Sequence, residues 1–260
     1  MADTDQHLAV AVEAARAAGA LLRAHYGRPQ QVEHKGEIDL VTPLDRQAER
    51  LVVERIRVAF PDHAILAEEG SGGGTNVAHR WLVDPLDGTT NYAHGYPCFA
   101  VSVAYEQAGQ VVVGVVYDPL RDELFAAQVG RGASLNGEPL RVSTTSRLLQ
   151  SLLITGFPYD RARFPAALRL WNALIEQAQA LRRDGAAALD LCYVAAGRAD
   201  GFWERPLQPW DMAAGALIVT EAGGRVTSFR GGPPDIYSAE IVATNGAIHD
   251  DLLAAIAAAE

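Results

Sequence analysis

"WLVDPLDGTTNYAHG", Trp81 to Gly95, sets three apolar residues ahead of two carboxylates placed three positions apart. Trp81, Leu82 and Val83 read as the end of a buried strand, and Pro85 stiffens the turn that follows by fixing its φ. Such a turn can return Asp87 beside Asp84 and leave the Leu86 carbonyl available. Two carboxylates and a carbonyl make a hard, all-oxygen donor set, suited to magnesium rather than zinc. Acids held this close repel each other unless a cation lies between them. Gly88 lets a phosphate oxygen approach the backbone, where the N–H groups of Gly88 and Thr89 at a helix start would receive it. The Thr89 hydroxyl can ligate a metal or orient a water. Metal plus phosphate is the chemical reading of this stretch, and no Walker-type phosphate loop competes with it.

The rest of the chain is compatible with that reading. Its 260 residues allow one large domain or two small ones, and 49% hydrophobic with 21% charged residues is ordinary for a globular protein with a substantial core. A formal net charge of −10 argues against nucleic acid or an anionic membrane as the main partner, because both would be repelled at long range. Cys98 and Cys192 are the only cysteines, both in apolar surroundings, which gives buried free thiols rather than a disulfide framework or a zinc site. No stretch approaches the roughly 20 apolar residues of a membrane-spanning helix, and "MADTDQHLAV" lacks the pattern of a signal peptide. A cytoplasmic protein is expected.

Outward from the motif, the pattern predicts a first helix capped by Asp3 or Thr4, with Leu8, Val12, Ala15, Ala18 and Leu22 on one face and Gly27 with Pro29 as its stop. A second helix runs from Pro43 to Phe60 behind a Thr42 cap. Ala64 to Ala67 is a strand that delivers Glu68 and Glu69 into a glycine-rich loop. "CFAVSVAYE", "VVVGVVYD" and "ELFAAQV" predict an antiparallel meander. Beyond them strands and helices alternate: "SLLITGF" and "GFWE" as strands, helices over Ala166–Ala180, Gly185–Ala196 and "WDMAAGALIVTEAGG", the strand "EIVATN", and a last helix over Asp250–Ala259. The expectation is one α+β unit in layers, its first half (1–145) α+β and its second (146–260) α/β.

Asp45, Glu68, Asp84, Asp87 and Asp211 all fall at strand ends or helix starts, where such folds assemble sites. Each alone has a plainer explanation. Asp45 suits the first turn of a helix, Asp211 can cap one, and Glu68 can be a solvated loop charge. His94, Arg182 and Arg183 read as loop or surface residues, and Trp203 and Trp210 as core anchors. His63 and His79 have no partner visible in sequence.

Taken together, "DLVTPLD" (Asp39 to Asp45), "AEEG" (Ala67 to Gly70), "DPLDGTTN" (Asp84 to Asn91), "GAAALDLCYVAAGRADGFWE" (Gly185 to Glu204) and "PWDMAAGALIVTEAGG" (Pro209 to Gly224) resemble the inositol monophosphatase family, the lithium-sensitive, magnesium-dependent phosphatases. The motifs occur in order and span nearly the whole chain. The resemblance implies a layered αβαβα sandwich of the sugar-phosphatase type, a homodimer, and two or three magnesium ions per subunit. It implies that Glu68, Asp84, the Leu86 carbonyl and Thr89 surround one ion. Asp84, Asp87 and Asp211 would hold a second, and Glu68 would face a weaker third, with Asp45 near or behind it. Glu68, Asp45 and Thr89 would position and deprotonate a metal-bound water, and Gly88 and Thr89 would hold the phosphate. Glu204, the backbone at Ala187 and one Asp87 oxygen would meet the hydroxyls of a polyol. Lys35 falls where the family often has a lysine near the metals, and Asp39 suits local backbone hydrogen bonds better than a metal. The five acids sum to −5 and a phosphate monoester brings about −2 more, so cations are needed before substrate can bind.

Two departures stand out. Ala186 replaces a small hydroxylated residue, which removes a hydrogen bond near the substrate side, and the short glycine-rich loop after Glu69 loosens the third ion site. Asp184 adds an acid next to Gly185. Inositol 1-phosphate is the first candidate substrate, favoured by Thr90 and Asn91. Fructose 1,6-bisphosphate, histidinol phosphate and adenosine 3′,5′-bisphosphate are the alternatives within the wider superfamily. A regulatory binding protein that retains the fold is the alternative of another class, and it would not need the five acids and Thr89 that are all present here.

Overall fold

The computed structural model describes residues 2–28 and 32–260. α1 (Ala2–His25) is followed by a ribbon of β1 (Glu33–His34) and β2 (Leu40–Val41), then by α2 (Pro43–Ala59). β3 (His63–Ala67) and β4 (Asn76–Asp87) lead to the short helix α3 (Thr89–Ala93). β5 (Ala100–Gln107), β6 (Gln110–Asp118), β7 (Glu123–Gln128), β8 (Ala133–Leu135) and β9 (Glu138–Pro139) complete a seven-stranded sheet ordered as in the chain. β3 runs parallel to β4, and every later pair is antiparallel. β10 (Leu152–Thr155), α4 (Phe164–Ile175), β11 (Ala180–Arg182), α5 (Ala187–Ala195), β12 (Gly201–Glu204), α6 (Pro209–Glu221), β13 (Arg225–Thr227), β14 (Ile241–Thr244) and α7 (His249–Ala259) follow. Their five strands form a second sheet ordered β11-β10-β12-β14-β13.

The layers follow from which faces are apolar. Along β5 the side chains alternate: Val101, Val103 and Tyr105 join the core with α1 and α2, while Ala100 and Ala104 face α5 and α6. Small residues on that inner face let α6 lie close, and a Cβ on Gly114 would stand 2.8 Å from the Ala214 carbonyl oxygen. α6 is buried all round from Met212 to Val219 because sheets cover it on both sides, so it carries no polar face. A third core, with Leu153, Leu174, Trp203 and Ile256, packs α4 and α7 on the far side of the second sheet. The result is the expected αβαβα sandwich.

Several boundaries differ from the sequence expectation. The first helix begins at Ala2, so Asp3 and Thr4 lie within it rather than ahead of it. Gly27 leaves the helical region at φ +75°, as a stop requires, while Pro29 falls outside the described residues. The helix expected over Ala166–Ala180 ends at Ile175, because Ala180–Arg182 pairs in parallel with β10 as the edge strand β11. The glycine-rich loop is tied down, with Ile65 and Gly73 exchanging backbone hydrogen bonds of 2.7 and 3.0 Å. Among the described residues no helix is long and apolar enough to cross a membrane.

His249, fully buried at the start of α7, bridges the Thr227 hydroxyl of β13 and the Thr244 hydroxyl of β14, at 2.9 Å each. Burial, with Arg225 nearby, pushes its pKa down to about 4. The unfolded chain therefore binds this proton more tightly than the folded one. The group's contribution is complete above pH 6.5 and is lost as the pH falls from 6.5 towards 4. An NMR titration is expected to show a neutral His249 ring at pH 5; a ring that titrates near 6.5 would contradict the bridge.

Candidate active site

The turn after β4 is built as its residues require. The pairing of β4 with β5 shifts between Asp84 and Asp87, a bulge that turns both acids toward the strand end. The Leu86 N–H donates to Asp84 Oδ1 at 2.9 Å, and the Leu86 carbonyl lies 3.1 Å from the Thr89 hydroxyl. Gly88 has φ +93°, and a Cβ there would stand 2.9 Å from the Cys98 carbonyl oxygen, so conformation and space both demand glycine. Thr89 opens α3, where first-turn N–H groups have no acceptor within the helix.

α2 supplies what lies behind this turn. Asp45 is the acid of a capping box: its Oδ2 accepts from the Thr42 N–H at 2.8 Å and the Thr42 hydroxyl at 2.6 Å. Its Oδ1 accepts from the Thr89 hydroxyl at 2.8 Å. Asp45 does not line the cleft and reaches it only through Thr89. One turn on, Glu49 is also buried, and it accepts from the Glu69 N–H at 2.5 Å and the Ser71 N–H at 2.6 Å. Glu49 thereby fixes the backbone that presents Glu68. Its sequence signal was an acid four residues after Asp45, inside the apolar stripe of Leu44, Ala48 and Val52. Glu49→Gln is expected to speed hydrogen exchange at the Glu69 and Ser71 amides, which lose a carboxylate acceptor. Unchanged exchange at those amides would remove the positioning role.

The Lys35 ammonium bonds Glu68 at 2.9 Å and also Glu69. Burial opposes its charge, but Glu68 and Glu69 hold its pKa above the usual range. Burial drives Glu68 up against the pull of Lys35, and pushes Glu69 up to about 6. Across the cleft, Asp87 Oδ1 accepts from the Ala187 N–H at 3.1 Å and Oδ2 from the Ala188 N–H at 2.8 Å. Asp87 thus caps α5, whose own N-cap residue Ala186 offers no side-chain acceptor. The Ala187 N–H is committed to Asp87 rather than open to a substrate. Asp211 Oδ2 accepts from the Gln208 N–H at 2.7 Å at the start of α6. Glu204 ends β12, and its carboxylate occupies the space that a Cβ on Gly156 would fill.

Glu68, Asp84, Asp87 and Asp211 line one cleft of about 260 Å³ with the Leu86, Gly88 and Thr89 turn, Ala187 and Glu204. Asp39 and Asp160 stand on the same wall, and Arg183 is the one cation among the described lining residues. Burial holds Asp84 well above the carboxylate range, reinforced by Glu68, Asp87 and Asp211, and Asp211 is raised likewise. Burial also raises Asp87, to about 7, and Glu204, to about 8. Burial raises Asp45 as well. Acids forced toward neutrality by burial and one another are what a divalent cation would relieve. Among the described residues no three His, Cys, Asp or Glu side chains are already gathered closely enough to enclose an ion. The donor chemistry nonetheless fits magnesium: carboxylates, a carbonyl and a hydroxyl, with no thiol or imidazole in the cleft.

Other residues take plain roles. His94 is exposed and ends α3. The Trp81 indole donates to His63 at 3.2 Å, and His79 lies 2.5 Å from the Tyr105 hydroxyl. Arg182 ends β11, Trp203 is buried in the third core, and Trp210 is half-buried at the cleft. Asp190, in the alanine-rich stretch of α5, was not anticipated. Both its oxygens are buried without a partner among the described residues, and burial, with Asp184, Glu204 and Asp87, holds its pKa well above normal.

The profile of the inositol monophosphatase family matches residues 3–260. The chain belongs to the inositol monophosphatase family. It is 48% identical to the inositol-1-monophosphatase of a Synechocystis species, over 98% of this chain and 90% of that protein. It is also 46% identical to the Nus factor SuhB of Escherichia coli, over 95% and 94%. The solved inositol monophosphatase of Anabaena superposes with a TM-score of 0.90 at 45% identity, covering 98% and 97% of the two chains. Family and relatives support a phosphatase activity.

Proposed function

We propose that the protein is a magnesium-dependent phosphomonoesterase acting on inositol 1-phosphate or a related polyol or sugar phosphate. The observation that carries this reading is one cleft where four mutually repelling acids, the buried Asp84 and Asp87 with the partly buried Glu68 and Asp211, face a glycine-opened helix start. Glu68, Asp84, Asp87, Asp211 and the Leu86 carbonyl would hold two or three magnesium ions. When bound, magnesium supplies Lewis acidity, lowers the pKa of a water and stabilises the leaving alkoxide. The chain's own residues do the rest. Gly88 and Thr89 N–H groups hold the phosphate at the helix start. The Thr89 hydroxyl orients the attacking water and passes its proton toward Asp45, whose other oxygen Thr42 fixes. Asp87 stays aligned because α5 grips both of its oxygens. Glu204 meets the alcohol. We place this activity in a cytoplasmic homodimer, as the family resemblance implies.

The test is phosphate release from a panel of polyol and sugar phosphates with magnesium, with EDTA, and with added lithium. Magnesium-dependent, lithium-sensitive release fastest on inositol 1-phosphate is expected. Release spread evenly over the panel would retain the chemistry and point to Ala186 as the lost specificity contact. A second reading, a regulatory role through a protein partner, is favoured by the 46% identity to a protein named Nus factor. No release from any ester would transfer the weight to it.

A further inference from the structure

The loop that leaves β10 lines one wall of the cleft from Gly156 to Asp160. Its charged side chains are committed elsewhere. Asp160 Oδ1 accepts from the Ala162 N–H at 3.0 Å, and Oδ2 lies 3.6 Å from Arg163. Arg161 reaches out to Glu37 at 3.4 Å. The Tyr159 hydroxyl, by contrast, donates to no described residue. Its ring is half-exposed at the rim of the cleft. Burial of the hydroxyl end, with Asp39, pushes the phenol up to about 12, while Thr90 and Arg183 draw it down. At neutral pH the group is therefore an intact O–H. Thr90 follows the Gly88–Thr89 turn in α3, and its own hydroxyl is buried without a hydrogen-bond partner among the described residues. Two hydroxyls, one from each half of the chain, thus meet beside that turn, and neither proton has an acceptor.

We propose that Tyr159 is a further substrate-contacting residue, whose O–H donates to a non-bridging oxygen of the phosphate held at Gly88 and Thr89. The inference rests on the phosphomonoesterase reading and deepens it. Seven carboxylates and one arginine stand among the described residues that line the cleft. A phosphate seated there needs a donor on every side that a cation does not cover. A phenol suits that place, because it brings a donor without adding charge. Its hydrogen bond to an anionic oxygen is about twice as strong as one between neutral groups. The Thr90 hydroxyl donates in turn to the Tyr159 oxygen, which aims the phenol proton at the phosphate and satisfies a buried group. The contact lies on the phosphate and not on the alcohol, so it makes no selection among polyols.

The test is Tyr159→Phe, which removes the hydroxyl and keeps the ring. Magnesium-loaded wild type and variant are titrated with inorganic phosphate by calorimetry, beside steady-state hydrolysis of inositol 1-phosphate. The variant is expected to bind phosphate ~10-fold or more weakly. Its KM should rise by a similar factor with kcat within ~3-fold, because the bond is present both before and during transfer. The melting temperature and the magnesium concentration for half-activation should not move, whereas a purely structural role would shift them. Equal phosphate affinity in the two proteins, a loss confined to kcat, or a magnesium-loaded wild type that binds no phosphate overturns the assignment. A wild type that hydrolyses no ester, yet loses phosphate affinity on Tyr159→Phe, would sink the phosphatase reading while the contact stands.

Discussion

Asp87→Asn is expected to cut phosphate release by ~10³-fold or more, a loss of the size seen when a preorganised charged or dipolar group is removed from a reacting centre. The side chain does two jobs at once. It faces Asp84, Asp211 and Glu68 across the proposed ion site, and it ties the end of β4 to the start of α5 through the Ala187 and Ala188 N–H groups. Asparagine has one acceptor oxygen, so one of those N–H groups would confront an amide NH₂, a cost of about 1–2 kcal/mol. Against this, a neutral side chain avoids the burial cost, and the lesser repulsion from Glu68, that lift Asp87 to a pKa of about 7. The two effects oppose each other in the metal-free protein, so its melting temperature should move little. The rise in melting temperature on adding magnesium should shrink sharply, since a ligand bound only to the folded state stabilises in proportion to its affinity. Steady-state phosphate release with and without magnesium, beside two melting curves, separates the roles. A variant that keeps a tenth of the activity and the full magnesium-induced rise would remove Asp87 from the ion site.

Thr89→Val is the second large effect. Valine matches threonine in shape but cannot donate to Asp45, which is fully buried. One Asp45 oxygen then loses its partner, which costs about 1–3 kcal/mol of stability. Proton transfer through the hydroxyl is lost with it, and the rate is expected to fall ~10²- to 10³-fold. Thr89→Ser, which retains the hydroxyl, should keep most of the rate. Asp45→Asn should resemble Thr89→Val, and the double variant should be no worse than either single one, because both cut the same link. Additive losses in that cycle, measured at saturating magnesium and substrate, would show that Thr89 and Asp45 act separately.

The acid-lined side of the cleft was legible in the sequence because its acids sit at strand ends and helix starts. Asp84, Asp87 and the glycine after them can be read from the chain without tertiary information, since Pro85 and Gly88 leave little conformational choice. Asp45 fits two signals, a capping acid and a site acid; in the structure one oxygen serves the cap and the other accepts from the Thr89 hydroxyl. Glu49 and Asp190 were missed because an acid within an apolar stripe reads as noise until its partners, or the lack of them, are seen. Arrangement in space was out of reach for Lys35 as well, whose two acids lie 33 and 34 residues away. The misread end of α4 has a similar cause. "ALR" is too short to show a period of two, and only pairing with β10 makes it a strand.

Asp45 and Glu49 ride on neighbouring turns of one helix, and each grips a different loop, one carrying Thr89 and the other Glu68. A helix is stiff along its axis, so the spacing between the two loops is set by α2 rather than by their own backbones. The opposite wall, with Asp211 on α6 and Glu204 at the end of β12, is built from other elements, so one helix alone keeps Thr89 and Glu68 in register.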